Sequence, residues 1–155
     1  MKILSCLILI VTILKGVVLP SENYFLNQIE FTNSITIYNN GIISEFSEKD
    51  CEFLTIKQAY KTMLENHYEM PAFSVSLHNE TINALNDGVW IELGFPRTFT
   101  HNQLPFERLL IKVDKESCGF NLIRFNENKY DGRCFYINLI NSTMENLYNT
   151  IFNII

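Results

Sequence analysis

From Phe106 to Val113 the chain reads Phe-Glu-Arg-Leu-Leu-Ile-Lys-Val, with Leu109, Ile111 and Val113 at alternate positions and Arg108 and Lys112 between them. That alternation predicts a strand with one apolar face and one mixed face. The polar run Asp114 to Ser117 predicts a turn, and a loop of those four residues pairs Val113 with Cys118, Ile111 with Phe120 and Leu109 with Leu122. A second polar run, Asn126 to Gly132, precedes a third strand from Arg133 to Leu139. Pairing Phe120 with Ile137 and Leu122 with Phe135 gathers Leu109, Ile111, Val113, Phe120, Leu122, Phe135, Ile137 and Leu139 onto one face. At roughly 1.5 to 3 kcal/mol per buried side chain, that face is the expected main source of folding free energy, and it needs a cover.

Two helical stripes can supply the cover. Ser47 and Asp50 read as a helix start, and Phe53, Ile56, Tyr60, Met63, Leu64 and His67 recur at helical spacing in an element ending near Asn66. Ser142-Thr143-Met144-Glu145 has capping-box form and opens a second stripe of Met144, Leu147, Tyr148, Ile151 and Ile155. Ahead of the first helix, Ile35 to Tyr38 and Ile42 to Phe46 flank Asn39-Asn40-Gly41 and predict a hairpin. Phe73, Val75 and Leu77 alternate with serines as a short strand, Glu80 to Asn86 forms a brief helix ended near Gly88, and Trp90 to Leu93 is another strand. Gly94 to Pro105, rich in turn formers, reads as a loop and a recognition surface. The expectation is one α+β domain over residues 34–155: a mostly antiparallel sheet of about six or seven strands with two main helices on one face, after a lead-in over residues 21–33.

The first residues change the picture. Met1-Lys2 and the largely apolar stretch Ile3 to Leu14, interrupted by Lys15, have the form of a secretory signal peptide over residues 1–20. The alternative is an uncleaved signal anchor from Ile3 to Leu19, with Lys15 snorkelling. The reading therefore places the protein outside the cell or in the secretory pathway, or else tethered to a membrane by this segment. The sequons Asn79-Glu80-Thr81 and Asn141-Ser142-Thr143 then become acceptors for N-glycosylation. Without Cys6, the remaining Cys51, Cys118 and Cys134 are odd in number. The assumed strand register sets Cys118 and Cys134 too far apart to bond and makes Cys51 with Cys118 the candidate disulfide, with three buried thiols as the alternative.

Lys and Arg number 12 against 17 Asp and Glu, a formal charge of −5; loss of Lys2 and Lys15 leaves 10 against 17, or −7. With no basic cluster, neither nucleic acid nor an anionic membrane surface is an expected partner beyond the leader's own membrane contact. His67, His78 and His101 lack metal-ligand spacing, and no cofactor motif is present. Glu92, sharing a strand face with Trp90, and Glu107 form a weak carboxylate pair for acid catalysis. The mixed sheet face, Arg108, Leu110, Lys112, Asn121, Ile123, Phe125, Cys134 and Tyr136, suits protein contact, or a second small core under the N-terminal hairpin. The surface candidates are Arg97, Phe99, His101, Arg108, Lys112 and Tyr136. The leading expectation is a secreted, non-catalytic module that binds a protein or glycan. A small secreted hydrolase is the alternative.

Overall fold

A computed structural model describes residues 24–71 and 74–155, so the signal-peptide expectation and Phe73 lie outside the described residues. Among the described residues, nine strands and four α-helices follow in order: α1 Tyr24–Gln28, a 3-10 turn Ile29–Phe31, β1 Ser34–Asn39, β2 Ile42–Ser47, α2 Cys51–Met63, β3 His67–Met70, β4 Val75–Ser76, α3 His78–Ala84, β5 Val89–His101, β6 Leu104–Val113, β7 Gly119–Phe125, β8 Gly132–Arg133, β9 Phe135–Leu139 and α4 Glu145–Phe152. Seven strands form one antiparallel sheet in the order β2-β1-β5-β6-β7-β9-β3, and β4 pairs with β8 beside it. The architecture is the expected α+β domain.

The expected inner face forms. All eight of its residues are buried, together with Phe53, Ile56, Tyr60, Met63 and Leu64 from α2 and its C-terminal end, and Met144, Leu147 and Ile151 from α4. The pairings Phe120 with Ile137 and Leu122 with Phe135 are as expected. The β6-β7 register is not: Leu109 faces Arg124 and Leu110 faces Ile123. This is a shift of two residues from the expected register, which leaves every side chain on its expected face because the strand period is also two. Hydrophobic pattern alone cannot distinguish such registers.

Several boundaries differ as well. The β1-β2 hairpin turns on Asn40 and Gly41 alone, whose φ of 50° and 83° suit a two-residue turn. Asp50 accepts hydrogen bonds from the Ser47 backbone N–H at 2.7 Å and from its hydroxyl at 2.9 Å, so α2 begins at Cys51 rather than beside Ser47. His67 leaves the helix and joins β3, a strand that the helical spacing concealed. In β4 Ser76 is buried while Val75, and Leu77 just after the strand, are exposed, the reverse of the expected alternation.

The largest correction concerns Gly94 to Pro105. It is not a loop: β5 continues to His101, turns on Asn102 and Gln103 (φ 48° and 64°), and returns as β6 from Leu104. A pairing irregularity between Gly94 and Phe99 bends this arm over the β7-β9-β3 side of the sheet. There the His101 ring packs 5.4 Å from that of Phe135 and bonds Glu69 of β3 at 2.7 Å, while Phe25 of α1 lies 4.9 Å from Phe135. The turn-forming residues seen in the sequence serve a bend and a tight reversal.

The mixed outer face carries the second small core, with a different cover from the one expected. Trp90, Leu110 and Phe125 pack with Leu85, at the end of α3, and Tyr130, from the segment after β7. The N-terminal hairpin contributes only Tyr38 at its margin.

Candidate functional site

A polar trough crosses the outer face where this second core stops. Alternation puts Glu92 of β5 on that face between Thr36 of β1 and Leu110 of β6, while Ser34 of β1 stands opposite both Ser47 of β2 and Gly94 of β5, with Arg108 next in the row. The row of small residues makes the depression. A Cβ on Gly94 would meet the Ser34 Oγ at 2.1 Å, so a larger residue there would have to displace the Ser34 hydroxyl that lines the trough. The cavity encloses about 450 Å³, lined chiefly by Ser34, Thr36, Glu45, Ser47, Asp50, Glu92 and Arg108.

Its floor is a buried charge network. Glu92 is 2% exposed, its Oε1 accepting from the Arg108 guanidinium at 2.8 Å and its Oε2 from the Tyr130 hydroxyl. Arg108 also lies over the Phe125 ring, 3.4 Å from the centroid, so its charge is held between a carboxylate and a π-face. Burial, then the charge of Glu92, raise the Tyr130 hydroxyl above the usual phenol range, and the same causes in the same order raise that of Tyr38. Both phenols are therefore protonated at neutral pH, and Tyr130 is a donor to Glu92. At the rim, the backbone N–H and then the hydroxyl of Ser47 hold the Asp50 carboxyl below its usual range. Both Glu92 oxygens are engaged, and the remaining polar surface of the trough consists of hydroxyls, the rim carboxylates and the partly exposed Arg108 guanidinium. Such a lining accepts hydrogen bonds from hydroxyl, ammonium or guanidinium groups.

The other expected residues disperse. Glu107 does not join Glu92; it accepts from the Thr98 hydroxyl at 3.4 Å on the bent arm and does not line the trough. Arg97 and Phe99 are also on the arm, the guanidinium 4.9 Å from the ring centroid. His101 is folded inward, stacked on Tyr24 at 3.9 Å and bonded to Glu69. Lys112 caps Trp90 at 5.6 Å and pairs with Asp87, and the hydroxyl end of Tyr136 occupies the space a Cβ on Gly119 would take. Of the six surface candidates, only Arg108 lines the trough.

The disulfide expectation is corrected: Cys51, Cys118 and Cys134 are free thiols. Cys51 is exposed at the start of α2 and Cys118 is exposed in the loop ahead of β7, because the two-residue shift removes Cys118 from the strand position facing the helices. Asn79 and Asn141 are both exposed, the first in α3 and the second just ahead of α4. Among the described residues, no group of three His, Cys, Asp or Glu side chains is arranged to hold a metal ion, and no helix is long and apolar enough to cross a membrane.

Tyr130, Thr36, Glu45 and Asp50 escaped the sequence reading because they join Glu92 and Arg108 around one trough only through strand order or a long-range loop. The alternation of Thr36 with Ile35 and Ile37, carried across the hairpin to Glu45, is the signal that sets both on the outer face. Fold and site together define a single α+β domain whose antiparallel sheet is covered by helices on one face and bears a polar trough on the other. Set against known protein families, curated proteins and solved structures, the chain matches none.

Proposed function

We propose that this chain is a secreted, non-catalytic interaction module that binds a protein or glycan partner across the outer face of its sheet. The observation that carries this reading is the trough: hydrogen-bonding side chains on four adjacent strands surround a cavity of about 450 Å³ whose floor is fixed by the Glu92–Arg108 pair. A preformed polar surface on a sheet binds without paying to order a loop. Engagement of both Glu92 oxygens favours a structural carboxylate over an acid catalyst. Secretion is supported by the leader pattern at residues 1–20 and by the exposure of both sequon asparagines, which leaves each open to glycan attachment.

The test begins with full-length expression in a eukaryotic secretory host and intact-mass analysis of the medium, then binding of the secreted product to glycan and receptor-ectodomain arrays. A leaderless product showing saturable binding that Thr36→Trp abolishes, with its circular dichroism unchanged, is the expected result. Retention of the full-length chain in cells, turnover of an arrayed substrate, or binding indifferent to Thr36→Trp would overturn the proposal.

A further inference from the structure

The trough opens at one end onto β2, the last strand on its side of the sheet. The pairing fixes which backbone groups of β2 look outward. Asn40 donates to the Gly88 carbonyl at 2.8 Å, continuing the β1-β5 ladder, so the even residues of β1 bond β5 and its odd residues bond β2. Ile35, Ile37 and Asn39 face Phe46, Ser44 and Ile42. The N–H and C=O groups of Ile43, Glu45 and Ser47 therefore point away from the sheet. Those of Ser47 are engaged by Asp50, its N–H by the carboxylate and its C=O by the backbone N–H at 2.9 Å. Ile43 and Glu45 remain, four backbone groups with no backbone partner among the described residues.

The side chains along this edge are equally unguarded. Ile42 and Ile43 are 69% and 59% exposed, and β2 contains no proline or lysine of the kind that blunts free strand edges. Glu45 is exposed beside Ile43 on the outer face and also lines the trough, with Asp50 at its rim. A strand added to β2 would place alternate side chains on that outer face, one beside Ile43 and the next beside Glu45.

We propose that β2 is a docking edge for an extended segment of a partner protein, in which a basic side chain aligned with Glu45 alternates with an apolar one aligned with Ile43. This rests on the interaction-module reading and names its partner class. Charge decides the occupant: a second copy of this chain would bring another Glu45 to the seam, whereas a lysine or arginine there reaches the carboxylate-lined mouth of the trough. The four outward backbone groups supply affinity without regard to sequence, and Ile43 and Glu45 set the register.

The test uses the folded secreted chain and a capped ten-residue peptide alternating lysine and valine, with affinity measured by isothermal titration calorimetry. Saturable binding is expected, weakened at least about tenfold when the peptide's alternate backbone nitrogens are methylated, and to a similar degree by Glu45→Lys. Methylation leaves the protein untouched, so that arm does not depend on how a variant folds. Binding indifferent to methylation would be charge adsorption and would overturn the proposal, as would a peptide alternating glutamate and valine binding equally well. Concentration-dependent dimerisation abolished by Ile43→Lys would overturn it in favour of a second copy. Absence of peptide binding alongside array binding sensitive to Thr36→Trp would sink the docking edge alone, whereas loss of both would sink the module reading with it.

Discussion

Leu109, Ile111 and Val113 of β6 are sealed under α2 and α4, while their neighbours Arg108, Leu110 and Lys112 project from the other face of the same strand into a smaller, mixed environment. The inner face excludes water chiefly by apolar contact. On the outer face, burial of Leu110 and Phe125 is accompanied by a buried carboxylate, which is tolerable only because Arg108 and Tyr130 satisfy it. Non-directional burial tolerates a register shift or an exchanged neighbour, but a charged hydrogen-bond network does not. The outer face therefore demands more of its geometry per residue while supplying less folding free energy.

The largest separation between the faces should come from Phe135→Ala, which empties a site where β9 meets Phe25, His101 and Phe106. Urea unfolding should show a loss of about 3–5 kcal/mol. A loss below about 1 kcal/mol would mean that the arm and α1 do not close over β9. Next, Arg108→Met should cost about 2–3 kcal/mol by leaving Glu92 buried without its cation, somewhat below a fully buried case because the Arg108 side chain is 36% exposed. Pairing it with Glu92→Leu should recover most of that loss, since an apolar pair of similar volume needs no counter-charge. Additive losses in this double-mutant cycle would show that the network is not the unit that holds the outer face.

The smallest effect is pH-dependent and sits at the trough's rim. The folded-state pKa of Asp50 lies below its ordinary value of 3.8, so Asp50 contributes stability that is present above that value and lost as pH falls through the lower folded-state value. Asp50→Asn should therefore destabilise slightly at neutral pH and make no difference at pH values below both. Thermal unfolding of the two proteins across that range checks the sign, and a deficit that persists in strong acid would place the contribution of Asp50 in packing.

Period-two alternation from Phe106 to Leu139, with helical stripes at Phe53 to Leu64 and Met144 to Ile151, determined the sheet, its inner face and the helices that cover it. These are local regularities, and burial rewards them whatever the exact register. Tertiary structure alone decided the two-residue shift between β6 and β7, the bend that turned Gly94 to Pro105 from a loop into an arm, and the meeting of Glu92 with Tyr130. The first is an even shift, to which period-two patterning is blind, and the other two rest on contacts distant in sequence: His101 against Glu69 and Phe135, and Tyr130 against Glu92. The trough and the open edge of β2 exist because strand order leaves them at one side of the sheet, and that order is set by long-range pairing.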